Sequence, residues 1–235
     1  MSGNSPKYRW LLFDADDTLF DYPKAEAKAL GWTFEQLGLP YRPEYLEVYQ
    51  KYNRQVWREF EQGQTGSLEL RTKRFRLLFA ETGLGVDPEK FSPIYLKNLA
   101  RGSDLLEGAA EVLTELAGLS HLAVVTNGLT DVQHPRLERS AIASLVEKVF
   151  ISDELGAAKP DPAFFERVFE AIGNPEKNEV LIVGDSLSSD MQGGIGYGID
   201  TCWYNPAGKT TDLPVTYQIQ AHSELIPLVR SAHAN

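Results

Sequence analysis

Five short runs of apolar residues constrain the fold of this 235-residue chain more than any other feature. Each run is continuous rather than alternating, which is typical of a strand buried on both faces of a sheet. Helix-like segments separate the later runs, and strands that alternate with helices form parallel sheets. We therefore predict an α/β fold with a doubly wound, Rossmann-like parallel sheet. The predicted strands are Trp10–Phe13, Leu122–Thr126, Lys148–Ser152, Val180–Gly184 and Thr201–Tyr204.

The interval between the first and second runs has a different pattern. Residues 24–100 contain four segments with helical patterning, separated by glycine and proline, and no convincing strand. We predict an inserted all-helical domain at residues 21–104, within an α/β core domain made of residues 1–20 and 105–235. The predicted helices of the insertion are Lys24–Leu37, Pro43–Glu61, Ser67–Thr82 and Pro88–Leu99.

The charge and cysteine content exclude several classes of partner. With 33 acidic and 23 basic residues, the formal net charge is −10, which disfavours binding to nucleic acid polymers or anionic membranes. No stretch approaches the roughly 20 consecutive apolar residues that span a bilayer. Cys202 is the only cysteine, so an internal disulfide is impossible and a reducing compartment is favoured. We expect a cytoplasmic protein that acts on small molecules.

Polar residues follow the first two predicted strands at the edge where parallel sheets bind ligands. Asp14 and Asp16 come directly after the first strand, and two carboxylates so close together need a cation or a shared proton. Thr126 and Asn127 end the second strand, where a hydroxyl and an amide could donate hydrogen bonds to an oxyanion. Taken alone, the acidic pair is equally well explained as a solvated acidic turn or a helix cap. An ordinary strand-to-loop turn is the better explanation of Thr126 and Asn127 taken alone.

The third and fourth strands are followed by a cation and by further acids. Lys159 precedes a proline that opens a helix, and Asp185 and Asp190 follow the fourth strand. A solvated lysine and a helix-capping aspartate would be the ordinary explanations. The conjunction of all four strand ends, in this order, is much more specific than any one of them.

These residues match the four motifs of the haloacid dehalogenase superfamily of phosphotransferases, which the chain resembles over essentially its whole length. The inserted helices resemble the helical C1-type cap domain of that superfamily. The resemblance implies that Asp14 is the nucleophile and that Asp16 is the general acid and base. It implies phosphate binding by Thr126, Asn127 and Lys159, metal binding by Asp14, Asp16 and Asp185, and a supporting or direct part for Asp190.

The residue types suit phosphoryl transfer, which depends mainly on positioning and on neutralising the charge of the phosphoryl oxygens. The implied cofactor is Mg²⁺, which prefers oxygen ligands such as the carboxylates of Asp14 and Asp185 and the backbone carbonyl of Asp16. An aspartyl-phosphate on Asp14 would divide one difficult step into two easier ones. Asp16 would protonate the leaving oxygen and then take a proton from the attacking water.

The stretch "VWREFEQGQTGSLELRTKRF" in the insertion resembles a narrower group, as do "FDADDTLF", "TNG", "RLERS" and "GNPEKNEVLIVGDS". These segments are similar to the bacterial pyrimidine 5′-nucleotidases with a helical cap. The resemblance implies hydrolysis of UMP, dUMP and dTMP. Trp57 and Phe60 would then offer an aromatic surface on which a pyrimidine stacks, although both are as readily explained as part of the helical core.

Several alternatives remain open from the sequence. A phosphatase or phosphomutase acting on a sugar phosphate or on sialic acid 9-phosphate shares the same motifs, whereas Asp16 disfavours the carbon-attacking dehalogenases. The letters "GDSL" at residues 184–187 also match a serine esterase with Ser186 as nucleophile, but they come late in the chain, and no histidine follows in the expected pattern. A non-enzymatic binding protein is the remaining class, and monomer and dimer are equally open.

Overall fold

The computed structural model describes residues 6–230, which fall into two compact units. The first unit takes in the chain up to Asp21, residues 104–130 and the chain from Leu137 onward. The second takes in Tyr22–Ser103 together with Asp131–Arg136. In chain order, the helices are α1 Tyr22–Gln36, α2 Glu44–Glu61, α3 Ser67–Thr82, α4 Pro88–Leu99, α5 Ala109–Leu116, α6 Thr130–Arg139, α7 Ser152–Leu155, α8 Pro162–Ala171, α9 Gln192–Tyr197 and α10 Leu225–Arg230.

The first unit is built on a six-stranded, fully parallel sheet with the strand order β3-β2-β1-β4-β5-β6. The strands are β1 Trp10–Phe13, β2 His121–Thr126, β3 Lys148–Ile151, β4 Val180–Gly184, β5 Asp200–Tyr204 and β6 Tyr217–Ile219. The first strand lies at the centre, with Phe13 opposite Val124 on one side and Val183 on the other. This register brings the carboxyl ends of β1, β2 and β4 side by side.

Both faces of the sheet are covered, which explains why the strands are continuously apolar. Leu11 and Leu12 are both fully buried, and because successive strand residues point to opposite faces, they belong to two separate hydrophobic clusters. One cluster lies under α5 and α10, and the other lies under α8, where Phe164 and Phe165 are completely buried. The prediction of a doubly wound α/β fold is confirmed.

The structure adds two features to the first unit. β6 was not predicted, because Tyr217–Ile219 has only three residues and carries the exposed Gln218 at its middle. A π-helical turn occupies Leu187–Met191, directly before α9. This turn delivers Asp190 to the end of the sheet, as described below.

The second unit is an all-helical body with an aromatic interior. Phe75 lies at its centre, with its ring centroid 5.0 Å from those of both Phe91 and Tyr95. Local signals explain the helix ends: Gly83 takes a left-handed conformation (φ 70°) after α3, and the Asp87 carboxylate accepts a hydrogen bond from the Glu89 backbone N–H at the start of α4. The helices match the predicted ones to within about two residues at each end.

Residues 131–136 belong to the second unit, whereas the sequence placed them in the core domain. Asp131 accepts two hydrogen bonds from Arg71 at 2.8 and 2.9 Å, and the buried Arg136 donates from Nε to the Gly102 carbonyl at 2.7 Å. The predicted domain limits, 21–104 for the insertion and 1–20 with 105–235 for the core, otherwise stay a prediction. Residues 1–5 and 231–235 of the predicted core lie outside the described chain. None of the helices between residues 6 and 230 combines the length and the apolarity of a membrane span.

Candidate active site

The loop after β1 is fixed by the backbone and by buried apolar residues. Asp14 extends the strand, since its N–H donates to the Val183 carbonyl at 2.9 Å. The chain then turns at Asp17, which has a left-handed φ of 61°, and the N–H of Leu19 returns to the Ala15 carbonyl at 2.9 Å. Ala15 and Leu19 are completely buried, so the turn is anchored in the core. Asp14 and Asp16 therefore both lie in the segment that directly follows β1.

Lys159 is the cation at the centre of the site, although it is only 1% exposed. Its Nζ donates to Asp14 Oδ1 at 2.7 Å, to Asp190 Oδ1 at 2.6 Å and to the Val125 carbonyl at 2.7 Å. An ammonium group has three N–H donors, so each is matched by an oxygen acceptor. Lys159 therefore joins the first and last predicted motifs through a buried double ion pair.

Asn127 holds the backbone of Lys159. Its side-chain nitrogen donates to the Lys159 carbonyl at 2.8 Å, and its side-chain oxygen accepts from the Lys159 N–H at 2.8 Å. The amide thus ties the end of β2 to the loop after β3. The predicted phosphate contact of Asn127 remains a prediction, and it would have to use the second amide hydrogen or the backbone.

Thr126 ends β2 and is buried, with 2% of its surface exposed. Its hydroxyl oxygen accepts a hydrogen bond from the Gly128 N–H at 3.0 Å, which orients the side chain at the strand end. This bond uses the hydroxyl oxygen as an acceptor and does not consume the hydroxyl hydrogen. The predicted contact of this hydroxyl with phosphate remains a prediction.

Asp185 and Asp190 are held at the end of β4 by separate contacts. Asp190 is fully buried, and its Oδ2 accepts from the Ser186 N–H at 3.1 Å while its Oδ1 accepts from Lys159. Thr18 donates from its hydroxyl to Asp185 Oδ1 at 3.3 Å. The Trp203 indole N–H donates to the Asp185 carbonyl at 2.9 Å. The last motif is therefore connected to the loop after β1 and to β5.

Three carboxylates in this site form a group that suits a divalent cation. Asp14, Asp185 and Asp190 each place an oxygen within 4.8 Å of the others, and carboxylate oxygens are the hard ligands that Mg²⁺ prefers. The single positive charge of Lys159 cannot neutralise three carboxylates. The donor set and its excess negative charge therefore fit the predicted cofactor. Asp16 was predicted to bind the metal through its backbone carbonyl. The grouping of side-chain carboxylates does not test that contact, which remains a prediction.

The pKa values of two aspartates in the site are raised, first by burial and then by neighbouring carboxylates. Burial raises the pKa of Asp14 to about 8, an effect that Lys159 opposes and the Asp190 carboxylate reinforces. Burial, together with the Asp14 and Asp190 carboxylates, raises the pKa of Asp185 to about 9. Burial lowers the pKa of Lys159, but its two ion pairs outweigh that effect and hold the pKa above its ordinary value. A bound divalent cation would favour the ionised form of both aspartates.

Ser186 has a local structural part in the loop. Its hydroxyl accepts from the Ser189 N–H at 3.2 Å and lies 3.2 Å from the Ser188 hydroxyl. These contacts cap the π-helical turn. His222 does not serve as its base, because both ring nitrogens face backbone carbonyls, those of Thr18 at 2.7 Å and Glu107 at 3.1 Å. The geometry gives the serine-esterase alternative no support.

The two aromatic residues proposed for the substrate lie together on α2 in the second unit. The rings of Trp57 and Phe60 meet edge to face with centroids 5.8 Å apart, and both side chains are partly exposed. Their predicted contact with a substrate remains a prediction.

Sequence reasoning missed two residues that shape the site. Gly184 is required by the close approach of Asp190, since a Cβ at position 184 would lie 2.2 Å from Asp190 Oδ2. Trp203 secures the Asp185 backbone from the neighbouring strand. The sequence did offer a signal for Gly184, because a glycine directly before a predicted site residue can mark a close approach by another side chain. Nothing in the sequence distinguished Trp203 from an ordinary core residue.

Comparison with known proteins agrees with this site. Residues 8–198 match the family model described as haloacid dehalogenase-like hydrolase. The chain is 36% identical over 221 residues to a Bacillus subtilis protein named HAD-hydrolase YfnB, covering 93% of this chain and 94% of that one. A crystal structure of YfnB bound to magnesium superposes with a TM-score of 0.89 over 95% of this chain and 99% of that chain.

Two further relatives carry the name of an activity. Pyrimidine 5′-nucleotidase PynA of Streptococcus pneumoniae is 35% identical over 222 residues, covering 93% of this chain and 94% of the relative. Pyrimidine 5′-nucleotidase YjjG of Escherichia coli is 35% identical over 199 residues, covering 85% of this chain and 87% of the relative. The match of the family model, these relatives and the arrangement of acids around Lys159 lead to one conclusion: the chain belongs to the haloacid dehalogenase-like hydrolase family.

Proposed function

We propose that this protein is a Mg²⁺-dependent phosphatase that hydrolyses small phosphomonoesters, with pyrimidine nucleoside monophosphates as its substrates. The observation that carries the proposal is the buried Lys159, which bridges Asp14 and Asp190 beside Asp185 at the carboxyl ends of adjacent parallel strands. Such a site combines a cation and metal-binding acids with a carboxylate able to attack phosphorus. Phosphoryl transfer depends mainly on positioning the reacting groups and on neutralising charge, and these residues can supply both.

The reaction has two steps on the protein's own residues. In the first, an Asp14 carboxylate oxygen forms a bond to phosphorus while the ester P–O bond breaks, and Asp16 donates a proton to the departing oxygen. In the second, Asp16 takes a proton from water, the water oxygen bonds to phosphorus, and the bond from Asp14 to phosphorus breaks. Inorganic phosphate and the free alcohol are the products, and Asp14 and Asp16 return to their starting states.

Charge neutralisation is shared among several groups. Asp14, Asp185 and the backbone carbonyl of Asp16 would hold Mg²⁺, with Asp190 in support. When bound, the ion supplies positive charge that offsets the repulsion between the attacking carboxylate and the phosphate. In this proposal, the Thr126 hydroxyl and Lys159 bind the phosphoryl oxygens, and the ammonium group exchanges one of its three present acceptors for phosphate to do so. The Asn127 amide holds Lys159 in position.

The substrate class rests on the relatives and on the helical unit. PynA and YjjG, at 35% identity, are named pyrimidine 5′-nucleotidases. Trp57 and Phe60 supply partly exposed aromatic rings of the kind that stack on bases. UMP, dUMP and dTMP are accordingly the expected substrates. Neither a nucleic acid polymer nor a membrane is needed as partner, and a cytoplasmic location is part of the proposal because the buried Cys202 is a free thiol.

A substrate panel tests the proposal. Purified protein is assayed for phosphate release from UMP, dUMP, dTMP, ribose 5-phosphate, glucose 6-phosphate and sialic acid 9-phosphate, with Mg²⁺ and with EDTA. We expect hydrolysis only with Mg²⁺ and the highest kcat/KM for the pyrimidine nucleotides. A preference for the sugar phosphates would overturn the nucleotidase assignment, and isomerised sugar phosphate among the products would indicate a mutase. The absence of hydrolysis across the panel would overturn the phosphatase assignment itself.

A further inference from the structure

Arg74 is a fully buried cation in the interior of the helical unit. It lies on α3 with 1% of its surface exposed, and its Nη1 donates to Asn53 Oδ1 at 2.9 Å. Its Nε and Nη2 are shielded from solvent and have no acceptor among the residues that the structure describes. The guanidinium carbon lies 5.2 Å from the ring centre of Phe75 and 5.4 Å from that of Tyr95. Aromatic faces attract a cation, but they do not accept these two N–H groups as a carbonyl would.

The two unpartnered N–H groups are adjacent in the guanidinium plane. Nε and Nη2 form one edge of the planar fork with which arginine contacts acceptor oxygens. Leaving both donors of a buried charged group unsatisfied is strongly unfavourable. The helical unit therefore holds an oriented pair of donors, and residues 6–230 supply no hydrogen-bond acceptor for either of them.

The residues around Arg74 fix the direction of this edge. Asn53 accepts from Arg74 and donates from Nδ2 to the Tyr22 hydroxyl at 3.0 Å, so its amide is oriented at both ends. Tyr49 and Tyr95 join their hydroxyls at 2.6 Å beside the same group. The guanidinium is thus supported from α1, α2 and α4, and it has little freedom to turn toward another partner.

The cluster reaches the surface of the helical unit through aromatic residues. Tyr22 and Trp57 are both partly exposed. Trp57 lies four residues after Asn53 on α2, so the two share a helix face. Tyr22 is the first residue of α1 and follows Asp16 by six positions in the sequence.

We propose that Arg74 is a specificity-determining residue whose Nε–Nη2 edge binds a ring carbonyl oxygen of the pyrimidine base. The inference rests on the proposed nucleotidase function and deepens it. A carbonyl oxygen has two lone pairs and can accept from both N–H groups, and a carbonyl at ring position 2 is common to uracil, thymine and cytosine. A phosphate ester without a base leaves these donors unpaired, so it is bound less well in the transition state.

The ratio of kcat/KM for UMP to that for ribose 5-phosphate tests the assignment, because both substrates carry the same phosphoryl group on a ribose. It is measured with Mg²⁺ for the wild-type protein, Arg74→Met, Arg74→Lys and the control Arg76→Met, which alters an exposed arginine on the same helix. We expect both Arg74 variants to lower the ratio by about 10- to 100-fold, because Lys retains the charge without the fork. Arg76→Met should leave the ratio unchanged.

A binding measurement accompanies the kinetics and needs no turnover. Uridine, which has the base but no phosphate, should raise the thermal unfolding midpoint of the wild-type protein and of Arg76→Met but not of Arg74→Met. Equal losses on both substrates, or an unchanged ratio in the Arg74 variants, would overturn the inference while leaving the nucleotidase function standing. A wild-type protein without preference for UMP over ribose 5-phosphate would overturn both.

Discussion

At the scale of a single residue, Gly184 leaves the space that the side chain of Asp190 occupies. Asp190 is fixed by Lys159 and by the Ser186 N–H, and it packs directly against the Gly184 backbone. A Cβ at position 184 would lie 2.2 Å from Asp190 Oδ2 and 2.7 Å from Asp190 Cβ, distances that real side chains do not tolerate. Because Asp190 has no space to retreat in a fully buried site, the added methyl group has to displace the carboxylate.

Gly184→Ala should therefore lower kcat/KM for UMP by about 10- to 100-fold, since misplacing a group by about 1 Å can cost that much in rate. Gly196→Ala is the matched control, because a Cβ at that position of α9 meets nothing within 4 Å. It should retain full activity. Gly184→Ala activity equal to that of the control would show that the position of Asp190 is not critical.

At this scale, the sequence identified the acids but not their partners. Asp14, Asp185 and Asp190 were found because polar residues follow four predicted parallel strands in an order that is specific only when they are taken together. Lys159 forms ion pairs with Asp14, 145 positions earlier in the chain, and with Asp190, 31 positions later. Only the folded sheet brings these three residues together. In the sequence, Arg74 follows the glycine-containing turn after Trp57 and Phe60, where a solvated helix face is the favoured explanation, whereas the structure buries it.

At the scale of the elements, the side chain of Asn127 connects the end of β2 to the loop after β3. This residue ends β2, yet both ends of its amide are bonded to the backbone of Lys159 in the loop after β3. Two hydrogen bonds between the ends of neighbouring strands hold the loop, and hence the ammonium group, at a fixed height above the sheet. Asn127 could act directly, by contacting phosphate as predicted, or indirectly, by positioning Lys159. The two possibilities predict different values of kcat when Asn127 and Lys159 are both replaced.

A double-mutant cycle in kcat separates the two parts. Asn127→Ala alone should lower kcat by about tenfold or more, and it should have little further effect in the background of Lys159→Met if it acts through Lys159. Both single variants are first checked for unchanged thermal unfolding and circular dichroism. Fully additive losses would show that Asn127 acts independently of Lys159, as a direct contact with phosphate requires.

Most elements could be predicted because burial imposes a clear pattern on them. The central strands are covered on both faces and therefore read as continuous apolar runs, and the helices of the second unit end at glycine and proline. The edge strand β6 escaped prediction because it is short and interrupted by a polar residue. The assignment of residues 131–136 to the second unit depends on contacts with Arg71 and Gly102, which no local pattern reveals.

At the scale of the whole molecule, the described part of a chain of net charge −10 buries three lysine and arginine side chains. Arg136 donates to the Gly102 carbonyl, and the other two lie at the places that bear on the substrate in our account. Lys159 lies in the sheet domain among three carboxylates, and Arg74 lies in the helical unit with one unfilled edge. In our account, the first place handles the phosphoryl group that all substrates share. The second handles the part of the substrate that distinguishes one substrate from another, so in this account reaction and selectivity depend on residues of two different compact units.

Asp14 tests the central claim most directly, because the proposed chemistry begins with its attack on phosphorus. The measurement is phosphate release from UMP with Mg²⁺ by the wild-type protein and by Asp14→Asn, which has nearly the same shape but cannot form an aspartyl-phosphate. We predict at least a 1,000-fold lower kcat for the variant (~4 kcal/mol of barrier), with circular dichroism unchanged. A correctly folded Asp14→Asn protein with near wild-type kcat would contradict the account.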